Sequence, residues 1–224
     1  MNLTDITLIS ISGAENAINN MIKVMEFSSK HINFGKLKIL TCEEVKHDYI
    51  EIIKIPKLNK EQYTKFCIND LYKYIDTEFC LTVQWDGFII DHSLWNNNFL
   101  NYDYIGAPWV FDVVNRIGNG GFSLRSKKFL AESSKLIYRQ YQDASILNKL
   151  PKGSIIPEDW FMCCYCYDTM ISNGIKFAPV NLAYNFSVEH PSNDKIYYRN
   201  ILSTYRSFGF HGDFNIAAME LIYA

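Results

Sequence analysis

Short β-rich segments that alternate with segments of helical spacing restrict the fold of this chain more than any other feature. "ITLISIS" opens the chain, and Ile18, Met21 and Met25 then fall at helical spacing. "KLKILT" and "YIEIIKIP" follow, and the helical segment "NKEQYTKFCINDLYKYI" leads to a fourth strand, "EFCLTVQW". Strands that alternate with helices of ten or more residues are typical of a mainly parallel sheet flanked by helices. We therefore predict an α/β fold with such a sheet at its centre.

The second half of the chain is less regular. "DHSLWNNNFLNY" reads as helical, "GNGGFSLRS" as a glycine-rich turn that enters a strand, and "KKFLAESSKLIYRQY" and "PEDWFMCCYCYDTMI" as helices. "IKFAPVNLAYNFSVE" predicts late strands. No repeat or linker-like stretch interrupts this order, so we expect one domain over residues 1–224.

The composition of the chain limits the kinds of partner and the cellular location that we expect. The chain has 224 residues and a formal net charge of −2, which does not favour a nucleic-acid partner because such binding needs a basic excess. The sequence shows neither a leader peptide nor an apolar run of the ~18–20 residues that span a bilayer. Six cysteines are too few for a dense disulfide framework, and Cys163, Cys164 and Cys166 read as small helix residues. We expect a cytoplasmic protein without an integral membrane segment.

"LTVQWDGFII" raises the first functional question, because a strand built for a buried sheet ends on polar residues. Gln84 and Asp86 alternate around Trp85, so an extended backbone would place both oxygen-bearing side chains on one side. Oxygen ligands suit Mg²⁺ or Mn²⁺, and ligands of parallel sheets bind beyond the carboxyl ends of the strands. The alternative is an Asp-Gly turn without a function.

Two further segments have both a functional and a structural interpretation. "GNGG" contains Asn119, Gly120 and Gly121, which could bring the main chain close to a polar ligand or simply form a hairpin turn. Glu158 and Asp159 of "PED" could supply a general base, or they could only favour the start of a helix.

His211 of "FHG" is the remaining candidate. A neutral imidazole is a good ligand for a transition metal such as Mn²⁺. A lone histidine is also common as a structural or exposed residue, so the sequence leaves both interpretations open.

Taken together, "QWDGF", "YDYIGAPW", "GNGGFSLRS", "PEDWF", "NFSVE" and "FGFHG" resemble the GT-A-type glycosyltransferases, and in particular a family of small GT-A-like proteins. The resemblance implies a GT-A-like single domain. Such enzymes hold a divalent ion with a D-x-D segment, which here places the metal on Asp86 and His211, while Gln84 replaces the first acid. The resemblance also implies that Asn119, Gly120 and Gly121 line the sugar pocket.

The implied reaction is transfer of a sugar from a nucleotide-sugar donor, with a UDP-sugar expected, to an acceptor hydroxyl. Mn²⁺ or Mg²⁺ would be the cofactor, and inversion would follow if Asp159, or its neighbour Glu158, is the base. The donor is expected beside Gln84 and Trp85, and by position alone also at Ser10, Ser12 and Thr41. Two alternatives stay open, a non-catalytic binder of nucleotide sugars or glycans and a nucleotide-sugar hydrolase. The sequence does not predict an oligomeric state.

Overall fold

The computed structural model describes five stretches of the chain: residues 1–110, 113–138, 154–189, 206–213 and 215–223. These stretches carry all the candidate residues that the sequence predicts. The last three residues of the predicted helix "KKFLAESSKLIYRQY", 139–141, lie outside the described residues.

A six-stranded sheet forms the centre of the molecule, in the order β3-β2-β1-β4-β6-β5. Strand β1 pairs in parallel with β2 and β4, β2 pairs in parallel with β3, and β6 runs antiparallel to both β4 and β5. The prediction of a mainly parallel sheet is therefore confirmed. A separate parallel pair, β7 and β8, lies outside this sheet. The strands are β1 Asn2–Ser12, β2 Asn33–Thr41, β3 Glu51–Lys54, β4 Phe79–Val83, β5 Tyr104–Gly106, β6 Ser123–Ser126, β7 Ser187–Val188 and β8 Gly209–Phe210.

At the start of some helices, side chains satisfy the free backbone N–H groups of the first turn. The Glu43 carboxylate accepts hydrogen bonds from the N–H groups of Ala17 and Ile18 at the start of α1. Asn59 and Gln62 form a reciprocal capping box at the start of α2. The α-helices are α1 Ile18–Ser29, α2 Lys60–Asn69, α3 Lys127–Ser133, α4 Glu158–Trp160, α5 Tyr167–Ser172, α6 Val180–Phe186 and α7 Ile216–Tyr223. Shorter turns are the 3₁₀ segments Leu71–Tyr74, His92–Leu94 and Asn97–Asn101 and one π-helical turn, Phe161–Tyr165.

The core has two parts of different composition. Aliphatic residues of the central strands are fully buried, as Leu8, Ile39 and Leu81 show. Beside them lies a cluster of fully buried phenylalanines contributed by loops and by the second half of the chain. Much of the high aromatic content is therefore core packing. The members of this phenylalanine cluster are Phe88, Phe99, Phe122, Phe186, Phe208 and Phe210.

Two predictions about secondary structure need correction. "IKFAPVNLAYNFSVE" is mostly helix α6, with only the two residues of β7 in a strand. Pro179 ends the extended segment, and Ala183 and Phe186, three residues apart, bury the same side of α6. "DHSLWNNNFLNY" forms two 3₁₀ segments in place of a helix.

All six cysteines are free, and Cys163 and Cys164 are buried, in agreement with their predicted packing role. In the five described stretches, no helix has the length and apolarity required to cross a membrane.

Candidate functional site

A cleft of about 340 Å³ opens at the carboxyl ends of β1 and β4. The loop after β1, the start of α2 and the turn after β4 form its walls. Four of the residues predicted to contact a nucleotide line it together, namely Ser10, Ser12, Gln84 and Trp85. The other lining residues are Ile11, Gly13, Ala14, Ala17, Asn20, Met21, Leu58, Asn59, Lys60 and Tyr63.

Thr41 lies apart from this cleft. It is fully buried at the end of β2, where its hydroxyl accepts a hydrogen bond from the N–H of Glu43. Trp85, in contrast, is 46% exposed at the cleft, an unusual position for a large aromatic side chain. Its flat face is available to a ring-shaped ligand.

Gln84 to Gly87 form a tight turn, and the extended backbone assumed from the sequence is wrong. The N–H of Gln84 donates to the carbonyl of Gly87 at 2.8 Å, and the N–H of Gly87 donates back at 3.0 Å. Strand pairing therefore stops at Val83, and the Asp-Gly pair bends the chain as such pairs commonly do. Asp86 still reaches the site, but it is the turn that places it there.

Asp86 lies beside His211, as the sequence predicted for two ligands of one ion. The N–H of Gly212 donates to the Asp86 carbonyl at 2.7 Å, which ties the two segments together. Nε2 of His211 is 3.8 Å from Oδ1 of Asp86, and this buried oxygen has no hydrogen-bond partner. Burial raises the pKa of the Asp86 carboxyl above its ordinary value, although His211 opposes the shift.

Two side chains lie within hydrogen-bonding distance of the other nitrogen of His211. Nδ1 lies 3.1 Å from Oε1 of Glu189 and 3.0 Å from the amide nitrogen of Asn119. The Glu189 carboxylate favours a proton on Nδ1, so Nδ1 donates to Glu189 and the Asn119 amide nitrogen is only a close contact, which leaves the Nε2 lone pair directed at Asp86. Burial lowers the pKa of His211, but the hydrogen bond to Glu189 and the charges of Asp86 and Glu189 outweigh it, so the pKa is raised.

This donor set fits a divalent cation. An unpartnered carboxylate oxygen and an imidazole nitrogen share one location, and metal-bound histidines commonly donate their second N–H to a carboxylate, the position Glu189 occupies. Among the described residues, no three His, Cys, Asp or Glu side chains converge in a geometry that could hold a metal. Two such ligands are enough for Mg²⁺-like ions, which usually keep several waters and share phosphate oxygens.

Gly120 and Gly121 lie between this pair and a second group of acids. A Cβ on Gly121 would lie 2.0 Å from His211 Nε2, and a Cβ on Gly120 would lie 2.6 Å from Oε1 of Glu158. Both positions therefore require glycine because of close approach. Asn119 is buried, and its side-chain oxygen accepts from the N–H of Gly121 at 3.2 Å. The Asn119 side chain therefore contacts both Gly121 and His211 from the buried side of the site.

The second group joins Glu158, Asp159 and Arg125. Arg125 is only 1% exposed, and its Nη2 lies 3.5 Å from Oε1 of the buried Glu158. Asp159 is largely buried; its Oδ2 accepts from the N–H of Gly120 at 2.9 Å and its Oδ1 from the N–H of Trp160 at 2.7 Å. Burial, and after it the charge of Glu158, raise the pKa of Asp159 to about 7. Such a carboxyl can accept a proton near neutral pH.

Sequence reasoning did not assign roles to Glu189, Arg125 or Tyr63. Glu189 lies in "NFSVE", and its partnership with His211 depends on a contact between distant segments. Arg125 offered a signal, since a charged residue inside the buried strand β6 requires a partner. Tyr63 looked like an ordinary apolar position on α2.

Two solved structures share this fold at low sequence identity. A glycosyltransferase involved in the glycosylation of the major capsid of PBCV-1 is 16% identical, with a TM-score of 0.52, over 98% of this chain and 99% of that chain. The galactosyltransferase LgtC, solved in complex with donor and acceptor sugar analogs, is 10% identical, with a TM-score of 0.50, over 100% of this chain and 97% of that chain. At these identities the likeness establishes the fold, and it confirms the predicted α/β, GT-A-like architecture.

A family model matches residues 46–211, well over half of the chain. The protein therefore belongs to the family described as "Protein of unknown function (DUF5672)". The matched range contains Asp86, the glycine pair, Asp159 and His211. No curated protein matches the chain.

Proposed function

We propose that this protein is a cation-dependent glycosyltransferase that moves a sugar from a nucleotide-sugar donor to an acceptor hydroxyl. The observation that carries the proposal is the convergence of four distant segments beside one cleft. The turn at Asp86, the Gly120–Gly121 pair, Asp159 and His211 meet at the carboxyl edge of the sheet, where open α/β folds bind ligands. The fold shared with two glycosyltransferases supports it.

The cleft between β1 and α2 is the proposed donor site. Among the described residues, its lining is mostly apolar, contains no carboxylate and has Lys60 as its one cation, which suits the flat base and the charged phosphates of a nucleotide. Ser10 and Ser12 offer hydroxyl groups, and the exposed face of Trp85 offers a stacking surface for a base or sugar ring. We expect a UDP-sugar to occupy it.

Asp86 and His211 are the proposed cation ligands. Asp86 contributes the unpartnered Oδ1, and His211 contributes Nε2 while Glu189 and Asn119 lie at its other edge. A bound Mn²⁺ or Mg²⁺ would supply Lewis-acid stabilisation of the diphosphate leaving group. Asn119 and Gly121 keep the imidazole in place, since any side chain at residue 121 would displace it.

Asp159 is the proposed general base. Its pKa of about 7 leaves about half of the Asp159 carboxyls deprotonated at neutral pH, and the deprotonated form can accept a proton from the acceptor hydroxyl. Glu158 does not share this role, because it is buried and 3.5 Å from the Arg125 guanidinium. Gly120 faces the acids and Gly121 faces His211, so base and cation flank the same short segment. This arrangement favours attack opposite the leaving group, with inversion at the anomeric carbon.

A thermal-shift panel of UDP, GDP, CMP and their sugars, each with and without Mn²⁺, tests the proposal. One nucleotide should stabilise the wild type in a Mn²⁺-dependent way, by about 2.7 kcal/mol at 100 times its dissociation constant. Asp86→Asn should lose this shift, whereas Asp213→Asn, which removes an exposed carboxylate of the same region, should keep it.

Turnover then separates the classes of function. With the stabilising nucleotide sugar, transfer should require an acceptor. Free sugar released at one rate with or without acceptor would indicate a hydrolase, and binding without turnover would indicate a non-catalytic binder. Absence of a shift with every nucleotide would reject the donor site.

A further inference from the structure

Within the part of the chain that the structure describes, one end of the Gln84 amide has a hydrogen-bond partner. Nε2 donates to the Tyr63 hydroxyl at 3.2 Å, and that hydroxyl also hydrogen-bonds the Cys67 thiol. An amide carries its donor and its acceptor on opposite ends, so fixing Nε2 on Tyr63 sets the direction of Oε1.

The free end of this amide faces the cation site. Oε1 of Gln84 lies 2.9 Å, and Nε2 of His211 lies 2.0 Å, from the point where a Cβ of residue 121 would stand. The two atoms are therefore no more than about 5 Å apart. Oδ1 of Asp86 is 3.8 Å from the same His211 nitrogen.

We propose that Gln84 is a third, neutral ligand of the cation and that Tyr63 is the residue that positions it. This inference rests on the proposed function, since it concerns the same cation site. An amide oxygen is an ordinary ligand for hard divalent ions, and it adds no charge. Asp86 is then the one charged ligand among Gln84, Asp86 and His211.

A site with this ligand set depends on the nucleotide. A single carboxylate neutralises one of the cation's two charges and leaves the other for the diphosphate, so the ion and the nucleotide strengthen each other's binding. Tyr63 and Gln84 line the donor cleft as well, so a nucleotide there lies beside both the ligand and the residue that orients it. Mn²⁺ should therefore bind weakly to the free protein and more tightly when UDP is present.

Titration of Mn²⁺ followed by electron paramagnetic resonance tests the assignment without activity. Gln84→Glu should tighten Mn²⁺ binding to the free protein about tenfold, because affinity follows the count of charged ligands, and should reduce the gain from UDP. Tyr63→Phe should weaken Mn²⁺ binding about tenfold in the presence of UDP, as loss of a ligand's hydrogen-bond partner commonly does. Gln62→Glu places the same charge on the exposed side of α2 and should change neither value.

Equal tightening by Gln84→Glu and Gln62→Glu would overturn the assignment, since long-range charge would then explain both. Wild-type affinity in Tyr63→Phe would overturn the positioning role. If the wild type binds no Mn²⁺ even with UDP, the proposed cation dependence fails together with this inference. If the wild type binds Mn²⁺ and both Gln84→Glu and Tyr63→Phe behave like it, only the inference fails.

Discussion

Asp86 and Asp159 lie on either side of one glycine pair, and burial raises the pKa of both carboxyls. Their hydrogen bonds differ. Each oxygen of Asp159 accepts a backbone N–H, whereas Oδ1 of Asp86 is buried without a partner. The two N–H groups hold the Asp159 carboxylate in one orientation, which suits proton exchange with a substrate. The Asp86 carboxylate has an oxygen without a hydrogen-bond partner, which suits a cation. The same residue type thus acquires two proposed roles from its surroundings.

The largest expected effect follows from Asp159→Asn, which removes the proposed base. Turnover with donor and acceptor should fall about 10²–10⁴-fold, the usual contribution of general-base catalysis. Mn²⁺-dependent nucleotide binding should persist, because the Asp86 side of the glycine pair is untouched. Steady-state kinetics and the thermal-shift assay measure the two quantities. Asp168→Asn, an exposed acid of α5, is the matched control, and near-normal turnover in Asp159→Asn would refute the assignment of the base.

Glu158→Gln tests the buried ion pair between Glu158 and Arg125, next to Asp159. It leaves the buried Arg125 without its nearby carboxylate, and removal of one partner of a buried ion pair costs about 3–5 kcal/mol. Urea denaturation should show a free energy of unfolding lowered by about that amount. The double variant Glu158→Gln, Arg125→Met should recover much of the loss, because no buried charge remains. A fully stable Glu158→Gln would mean that the pair is not needed for folding.

Gly121→Ala disturbs the proposed cation site at Asp86 and His211 and leaves Asp159 in place. The new Cβ would meet His211 Nε2 at 2.0 Å, so the imidazole must leave its position. Mn²⁺ affinity should fall at least about tenfold, as when a metal ligand loses its orienting partner. Gly174→Ala controls for general destabilisation: its φ of +76° makes alanine unfavourable by about 1 kcal/mol at a position far from the cleft. Unchanged Mn²⁺ affinity in Gly121→Ala would place the cation elsewhere.

The pH profile gives the smallest effect. Because the base must be deprotonated and its pKa is about 7, turnover should be half-maximal near pH 7 and about constant above pH 8. Below pH 6 it should fall about tenfold per unit, since Asp159 then holds its proton. The rate is measured at saturating donor and Mn²⁺. Arg125 lowers and Glu158 raises this pKa, so a midpoint near 4 would mean that neither burial nor Glu158 acts as the structure indicates.

The regular half of the fold was predictable because its information is local. The hydrophobic runs and helical spacing before residue 84 define β1 to β4 and the two crossover helices, and parallel strands joined by helices allow few topologies. The late segment around α6 was misassigned because short apolar runs suit helix and strand alike. There, packing of Ala183 and Phe186 decided the outcome.

The sequence by itself determined the α/β class and the residue types of the site, since both follow from spacing and side-chain chemistry. Only the tertiary structure decided what each candidate touches. The segment predicted as extended, Gln84–Asp86, is part of a tight turn. Asn119 and Glu189 contact His211, and Glu158 pairs with Arg125. The physical reason is that hydrogen bonds, burial and pKa shifts depend on partners distant along the chain, and these meet only when the sheet and its loops have formed.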